Sequence, residues 1–120
     1  MAENELTLRL FNFTVRTIKF LKAITDLPEC KVIRYQLIKS SSSAGANYEE
    51  AQAGSSKADF TNKVRIALRE MRESNYWLRL IKATNESVFN VNELEWLINE
   101  SSELKKILGS IVQKFVKNKY

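Results

Sequence analysis

The chain has 120 residues, enough for one domain with its own core and too few for two. Three glycines and one proline are few for this length, which favours long helices over many short strands. Lys and Arg exceed Asp and Glu by 19 to 14, so the net charge of +5 permits binding to nucleic acid without requiring it.

The side chains that are absent or rare also restrict the possible functions. Without histidine, the chain has neither a histidine-activated nucleophile nor the usual zinc and di-iron ligands. Cys30 is the single cysteine, so it cannot form an internal disulfide, and no apolar run is long enough to span a membrane. We therefore expect a cytoplasmic protein that is not an enzyme and holds no cofactor or metal.

A first helix is predicted over residues 4–25, where apolar residues recur every three or four positions. The predicted core stripe consists of Leu8, Phe11, Val15, Ile18 and Leu21. A second apolar stripe widens this surface and consists of Leu6, Leu10, Phe13, Phe20 and Ile24. So wide an apolar surface predicts contact with several neighbouring helices.

Residues 26–29 (DLPE) predict a stop and a restart, since Asp26 can cap a helix and Pro28 is tolerated in a first turn. The second helix is predicted over residues 29–53. Its core stripe consists of Cys30, Ile33, Leu37, Ser41, Ala44, Tyr48 and Ala51. The run from Ser40 to Gly45 has the composition of a flexible linker, yet the stripe keeps its phase across it. Helix and loop both remain open there, and the phase favours helix.

The third helix is predicted over residues 56–84, because Ser56 followed by Asp59 resembles a capping box. Its core stripe consists of Phe60, Val64, Ala67, Leu68, Met71, Leu78 and Ile81. Residues 85–89 break the period and predict a loop. Asn90 then caps a fourth helix over residues 90–117, with its stripe at Leu94, Leu97, Ile98, Ser101, Leu104, Leu108, Ile111, Val112 and Phe115. One all-α domain over residues 1–120 follows, an up-down-up-down four-helix bundle with antiparallel neighbours.

One side of the third helix gathers its arginines, and we call this side the arginine face. It consists of Arg65, Arg69, Arg72, Tyr76 and Arg79. Guanidinium groups suit phosphates and a tyrosine ring suits a base, so the face predicts a nucleic-acid site. Further lysines follow Glu103 without an intervening acid: Lys105, Lys106, Lys114, Lys117 and Lys119. The alternative is an ordinary solvated helix face, with C-terminal lysines that favour the helix dipole.

Several segments, in this order, carry a resemblance to a known family: residues 45–53 (GANYEEAQA), 56–60 (SKADF), 66–70 (IALRE) and 73–78 (ESNYWL). They resemble the bacterial four-helix-bundle family named after proteins encoded in intervening sequences of 23S ribosomal RNA genes. The resemblance spans most of the chain. It implies a bundle that assembles as a ring, a homopentamer, with no assigned catalytic activity. By analogy of fold, accessory proteins of diversity-generating retroelements are basic rings that partner a reverse transcriptase and nucleic acid.

The positions that match the family pattern include a polar cluster: Asn47, Glu50, Lys63, Glu70 and Glu73. We expect Asn47 and Glu50 of the second helix to reach Lys63 and Glu70 of the third, which would fix register and assembly. A solvated helix flank and a ligand site are the alternatives. Ile66 and Trp77 lie at the apolar ends of this flank and predict a subunit interface, although Trp77 also fits a core position.

These patterns lead to a first reading of function and one alternative. The first is a non-enzymatic homo-oligomeric scaffold or adaptor that contacts RNA or a ribonucleoprotein through the arginine face. The alternative is a protein-interaction module with no role in nucleic-acid binding. An enzyme is the weakest reading, because Glu70, Glu73 and the pair Glu49 and Glu50 fit ion pairing as well as cation binding.

Overall fold

The computed structural model describes residues 3–54, 56–84 and 90–117. These residues form four α-helices and no strand: α1 (Glu3–Leu21), α2 (Pro28–Ala53), α3 (Lys57–Thr84) and α4 (Val91–Lys117). The all-α fold predicted from the scarcity of glycine and proline is confirmed. The molecule measures 49 × 23 × 19 Å, as expected for long helices packed side by side.

Each helix packs against two others, so that contacts run from α1 to α2, α3, α4 and back to α1. The contact between α2 and α3 is the most extensive, and that between α1 and α4 is the smallest. In the described residues the backbone of α1 does not approach that of α3 closely, and neither does the backbone of α2 approach that of α4. The four helices therefore enclose one interior, in which α1 and α3 occupy opposite corners.

The interior is built mainly from the predicted stripes of α2, α3 and α4. Their fully buried large side chains are Leu37, Val64, Met71, Leu78, Leu94, Leu97, Leu104 and Leu108. Ile98, Ile111 and Val112 are partly buried and pack against the same cluster. Burial of such a side chain stabilises the fold by about 1.5–3 kcal/mol each. The helical period therefore predicted the core-facing sides of three helices.

In α1 the predicted core stripe was wrong for two of its members. Leu8 and Phe11 are each 58% exposed, whereas Leu6, Leu10 and Phe13 of the second stripe are buried. Thr17 is also fully buried on this inner side, and its hydroxyl has no hydrogen-bond partner among the described residues. Because Thr17 is polar, it interrupts the apolar pattern of the buried stripe. The exposed stripe with Leu8 and Phe11 is therefore the more continuous of the two in the sequence.

The first helix also ends earlier than predicted, at Leu21 rather than at residue 25. The backbone N–H groups of Ala23 and Ile24 donate to the carbonyls of Phe20 and Leu21, three residues back, which tightens and ends the helix. Arg34 of α2 then donates to the carbonyl oxygens of Leu21, Ile24 and Thr25 at 3.3, 2.7 and 3.3 Å. These carbonyls are satisfied by a side chain instead of by another helical turn.

The capping predictions had mixed outcomes. Asp26 does not cap α2, because the N-cap is Leu27 without a side-chain bond, and the Asp26 carboxylate instead accepts from Arg34. Ser56 accepts from the N–H of Asp59 at 3.1 Å, and Asn90 accepts from the N–H of Glu93 at 3.1 Å, so both predicted caps are confirmed. The predicted loop at 85–89 lies outside the described residues.

The run from Ser40 to Gly45 is helical, as its phase indicated. Ser40 and Ser41 are fully buried, and their hydroxyls bond to the carbonyls of Leu37 and Ile38 in the preceding turn. Ser40 also bonds to Ser74 of α3 at 2.8 Å between the two Oγ atoms. Small side chains with satisfied hydroxyls thus let α2 approach its neighbours closely without orphaned polar groups.

Gly45 provides a test of this close approach. A Cβ atom at Gly45 would lie 3.8 Å from Leu10 Cβ, an ordinary van der Waals contact, and the backbone of Gly45 has no positive φ. We therefore expect Gly45→Ala to raise the free energy of unfolding by about 0.5–1 kcal/mol through helix propensity, measured by urea denaturation. Gly109→Ala in α4 is the matched control, since nothing lies within 4 Å of its Cβ position. A loss of stability confined to Gly45→Ala would contradict the packing described.

Candidate nucleic-acid interface

The arginine face lies on the outer side of α3, towards α4. Arg65, Arg69 and Arg72 are exposed, and among the described residues the only carboxylate within 4.0 Å of any of them is that of Glu70, 4.0 Å from Arg69 Nη2. The Arg69 side chain is 72% exposed, so this contact leaves its guanidinium largely solvated. Three guanidinium groups within two helical turns are therefore available to an anion.

A broad open groove of about 1030 Å³ runs between α3 and α4, and we call it the α3–α4 groove. Arg65, Arg69 and Arg72 line its α3 wall, and Lys106 and Lys114 line its α4 wall. Small and apolar residues, including Gly109 and Val112, line the space between them. No acidic side chain is among the described residues that line this groove. The arginine face is thus one wall of a larger basic surface that the sequence pattern of α3 did not reveal.

Arg79 differs from Arg65, Arg69 and Arg72 because its side chain is hydrogen-bonded within the protein. Its Nε donates to Asn75 Oδ1 at 2.9 Å. Asn75 is only 3% exposed, and its Nδ2 donates to Ser101 Oγ at 2.9 Å and to the Ile98 carbonyl at 3.3 Å in α4. Arg79 therefore completes the hydrogen bonding of a buried amide between α3 and α4.

Tyr76 extends the arginine face beyond Arg72 and is 50% exposed. Its ring meets Trp77 edge to face, with centroids 5.2 Å apart, and the Arg79 guanidinium lies 5.8 Å from its centroid. Trp77 is held in turn, because its Nε1 donates to Glu73 Oε1 at 3.1 Å. Tyr76 is thus a supported aromatic ring with half of its surface open to solvent.

The predicted polar cluster is not joined across α2 and α3. Asn47 Nδ2 donates to the carbonyl and hydroxyl of Ser43 in its own helix, at 2.9 and 3.1 Å. Within the part of the chain that the structure describes, no ion pair or hydrogen bond links Lys63 to Glu50 or Glu70. Glu50 is exposed and Lys63 is partly buried. The expected interhelical contacts are therefore absent, and the bonds present lie within single helices.

Apolar side chains lie at several places on the outside of the bundle, among them Val32 and Tyr35 of α2, one pair on α3 and one pair on α1. Ile66 and Trp77, predicted as a subunit interface, are both partly buried, and Trp77 packs against the core. Leu8 and Phe11, assigned to the core by their periodicity, are the more exposed pair at 58% each. The exposed surface around Leu8 and Phe11 was not predicted, because the two apolar stripes of α1 lie side by side and both fit a core position.

Two forked ion pairs join α1 to α4, and neither was predicted from the sequence. Arg9 donates from Nε and Nη2 to Glu100 at 3.0 and 2.7 Å, and Arg16 donates likewise to Glu93 at 3.0 and 2.6 Å. Seven residues separate the two arginines, and seven separate the two glutamates, so each pair repeats on one helix face. That matched spacing was the signal available in the sequence.

The Arg16–Glu93 ion pair is reinforced by stacking, and the pKa values of both side chains are shifted. The Arg16 guanidinium carbon lies 3.4 Å from the centroid of the Trp96 ring, a close cation–π contact. Hydrogen bonds from Arg16 lower the pKa of Glu93 below its ordinary value of 4.5, although partial burial acts in the opposite direction. The hydrogen bonds to Glu93 raise the pKa of Arg16. Both shifts indicate that the charged forms bind each other in the folded state.

The residues that the structure describes contain no group of three or more Cys, Asp or Glu side chains placed to hold a metal ion. Among them no helix is long and apolar enough to cross a membrane.

A family model described as 23S rRNA-intervening sequence protein matches residues 3–110. The chain belongs to this family. A solved crystal structure from Bacteroides thetaiotaomicron is 34% identical, with a TM-score of 0.78 over 89% of this chain and 97% of that one. That relative is described as a protein of unknown function from the S23 ribosomal protein family. No curated protein matches the chain.

Membership in the 23S rRNA-intervening sequence protein family confirms the resemblance seen in the sequence. The matched residues include the whole arginine face and Lys106, and they end before Lys114. Neither the family description nor that of the solved relative names an enzymatic activity. Family membership therefore shows the fold, and it assigns no function to the chain.

The lowered pKa of Glu93 leads to a pH-dependent prediction. The Arg16–Glu93 pair stabilises the fold fully above pH 4.5, and this stabilisation is lost as the pH falls through the lower folded-state pKa. We expect Glu93→Gln to lower the free energy of unfolding by about 1 kcal/mol at pH 7. The difference from wild type should shrink towards pH 3, as measured by urea denaturation across pH. The control is Glu49→Gln, which replaces an exposed carboxylate on α2. A pH-independent difference would contradict this account of the pair.

Proposed function

We propose that this family member is a non-enzymatic scaffold or adaptor that binds RNA or a ribonucleoprotein through its arginine face. The observation that carries the proposal is the exposure of Arg65, Arg69 and Arg72 along an open groove with no acid among its described lining residues. Guanidinium groups bind phosphates in a forked geometry, and they are more weakly hydrated than ammonium groups. The net charge of +5 adds attraction at longer range.

The family description supplies the first probe. It refers to 23S rRNA, and the solved relative is described as belonging to the S23 ribosomal protein family. Fragments of 23S rRNA are therefore the first RNA to try. A cytoplasmic location and the absence of a cofactor are parts of the same proposal, and the single cysteine of the chain is consistent with a reducing compartment.

We further propose that the helices run up-down-up-down and that copies of the chain assemble as a ring, a pentamer by the family resemblance. Contacts between opposite ends of neighbouring helices support the helix directions: Arg34 near the start of α2 meets Leu21 at the end of α1, and Phe60 near the start of α3 meets Phe115 near the end of α4. A closed ring needs two different surfaces on each copy, one for each neighbour. The surfaces around Leu8 with Phe11 and around Ile66 with Trp77 meet that need.

The second candidate function is a protein-interaction module without a nucleic-acid role. The exposed apolar side chains of α1 favour it, because contiguous exposed apolar surface often marks a protein contact. In that case the arginine face is solvated surface only. The two functions differ in whether RNA binding exists and depends on the arginines.

The RNA prediction concerns the combined variant Arg65→Glu, Arg69→Glu and Arg72→Glu. We expect the wild-type protein to bind a labelled 23S rRNA fragment in fluorescence anisotropy, with affinity that falls steeply as salt rises. The triple variant should lose at least tenfold in affinity at low salt, because phosphate contacts become repulsive. Arg79 is left out of the variant because it bonds to the buried Asn75.

The matched control carries Lys22→Glu, Lys31→Glu and Lys39→Glu, which change the net charge equally on exposed positions outside α3 and α4. Affinity should fall much less in this control, since only the long-range attraction changes. Equal losses in both triple variants, or no binding by the wild type at low salt, would contradict the arginine-face proposal.

The assembly prediction concerns the mass in solution. Light scattering at micromolar concentration should give five times the chain mass of 13.9 kDa. Leu8→Gln with Phe11→Gln, and separately Ile66→Lys, should each lower that mass, because every contact in a ring uses one surface of each kind. Ile66 is chosen because Trp77 packs against the core.

Val91→Gln is the control for the assembly experiment, since it replaces an exposed apolar residue at the start of α4. Its mass should equal that of the wild type. Circular dichroism of each variant separates loss of assembly from loss of folding. A wild-type monomer would refute the ring, and an unchanged mass in either test variant would refute the two-surface contact.

A further inference from the structure

The α4 wall of the α3–α4 groove carries two cations that the proposed function does not use. Lys106 and Lys114 line the groove opposite the arginines, and neither has an ion-pair partner among the described residues. Eight residues separate them, which is about 12 Å along a helix. Arg65 and Arg72 on the other wall are seven residues apart, about 10 Å. Two rows of positive charge of similar length thus face the same open space.

The position of the two walls is fixed by contacts between α3 and α4. Asn75 bonds to Ser101 at 2.9 Å, and Lys82 pairs with Glu95 at 2.6 Å. Phe60 packs against Phe115, with ring centroids 5.0 Å apart. These contacts lie on both sides of the groove along the helices. The cationic rows are therefore presented in a defined register before any ligand arrives.

The width of the groove restricts the ligand. Neighbouring packed helices have axes about 8–10 Å apart, so the space between their outer faces is narrower than an RNA duplex, and the deep, narrow major groove of such a duplex is closed to side chains. A duplex can touch only the rims of such a groove. A single strand can lie in it lengthwise, with its phosphates within reach of both walls.

Tyr76 lies where such a strand would leave the groove. It follows Arg72 by four residues, about 6 Å along α3, and the residue is 50% exposed. Trp77 supports the ring from its edge. An unpaired base can stack on an exposed tyrosine, whereas a base within a duplex is already stacked on its neighbours.

We propose that the α3–α4 groove binds a single-stranded segment of RNA. Its phosphates lie between Arg65, Arg69 and Arg72 on one wall and Lys106 and Lys114 on the other, and one base stacks on Tyr76. This inference rests on the proposed function and extends it in two ways. It adds α4 to the binding surface, and it selects unpaired RNA over duplex RNA.

The salt dependence of binding tests the contribution of α4. A labelled 12-nucleotide oligouridine is titrated by anisotropy at several salt concentrations. Five phosphate contacts to a single strand predict a slope of log K against log salt of about −3.5. Lys106→Gln with Lys114→Gln should reduce the size of that slope by about 1.4. The control Lys31→Gln with Lys39→Gln, on the outer side of α2, should leave the slope unchanged.

Tyr76 is tested by a pair of substitutions. Tyr76→Ala should weaken oligouridine binding by about 5- to 150-fold through lost stacking, with little change in the salt slope. Tyr76→Phe keeps an aromatic ring and should retain most of the affinity. Circular dichroism and thermal melting of both variants confirm that the bundle remains folded. Equal affinity in the alanine variant and the wild type would overturn the stacking part of the proposal.

The remaining outcomes separate this proposal from the function on which it rests. Loss of binding in the arginine variant with no slope change in the lysine variant would overturn the groove and leave the arginine face intact. Tighter binding of a hairpin duplex of equal length would overturn the preference for a single strand. Equal competition by polyglutamate would indicate a site for any polyanion and overturn RNA as its ligand. No binding of any RNA at low salt would overturn both proposals.

Discussion

The buried amide of Asn75 is the constraint on which the basic surface of this protein depends. Its side chain bonds to Ser101 and the Ile98 carbonyl in α4, and it accepts a hydrogen bond from Arg79 on the outside of α3. A buried amide without these partners would be costly, so α3 and α4 are held in the one register that satisfies it. That register sets which cations of the two helices face each other, and it removes Arg79 from the set available to a ligand. The buried hydrogen bonds of Asn75 and the α3–α4 groove on the outside therefore both follow from the way α3 packs against α4.

The periodicity of the sequence predicted the helices well, and its failures have a common physical origin. In α2, α3 and α4 the predicted stripes include most of the buried apolar positions and the polar Ser41, but they left out the buried Ser40, Ser74 and Asn75. In α1 the stripes around Leu8 and around Leu10 are both apolar, and periodicity cannot rank them. The deciding information lies in polar partners, because Arg9 and Arg16 must face Glu100 and Glu93 in α4. Such partners are distant in sequence and become evident only once the helices are placed side by side.

The candidate site shows the same division between what one helix dictates and what two helices create. Shared spacing on α3 was sufficient to place Arg65, Arg69 and Arg72 together, because all three lie on one face of one helix. The spacing on α3 could not reveal that Lys106 and Lys114 line the opposite wall. Their position depends on how α4 is oriented about its own axis. The predicted polar cluster does not form, because closeness in sequence does not ensure that side chains of two helices meet. Glu50 and Lys63 lie on neighbouring helices near their connection, yet side-chain direction and not sequence distance decides whether they meet.

The placement of the surfaces around the bundle relates assembly to binding. Because α1 and α3 occupy opposite corners, the outer face around Leu8 and Phe11 lies away from the α3–α4 groove. Ile66 and Trp77 lie on the other flank of α3, next to α2, so neither apolar surface covers the cations. A ring closed through these two surfaces would leave one open groove on every subunit. Several modest sites at fixed distances bind one long strand far more tightly than one site does, provided that the strand can span them. Assembly would therefore raise RNA affinity without any new contact, and a longer strand would gain more from it than a short one.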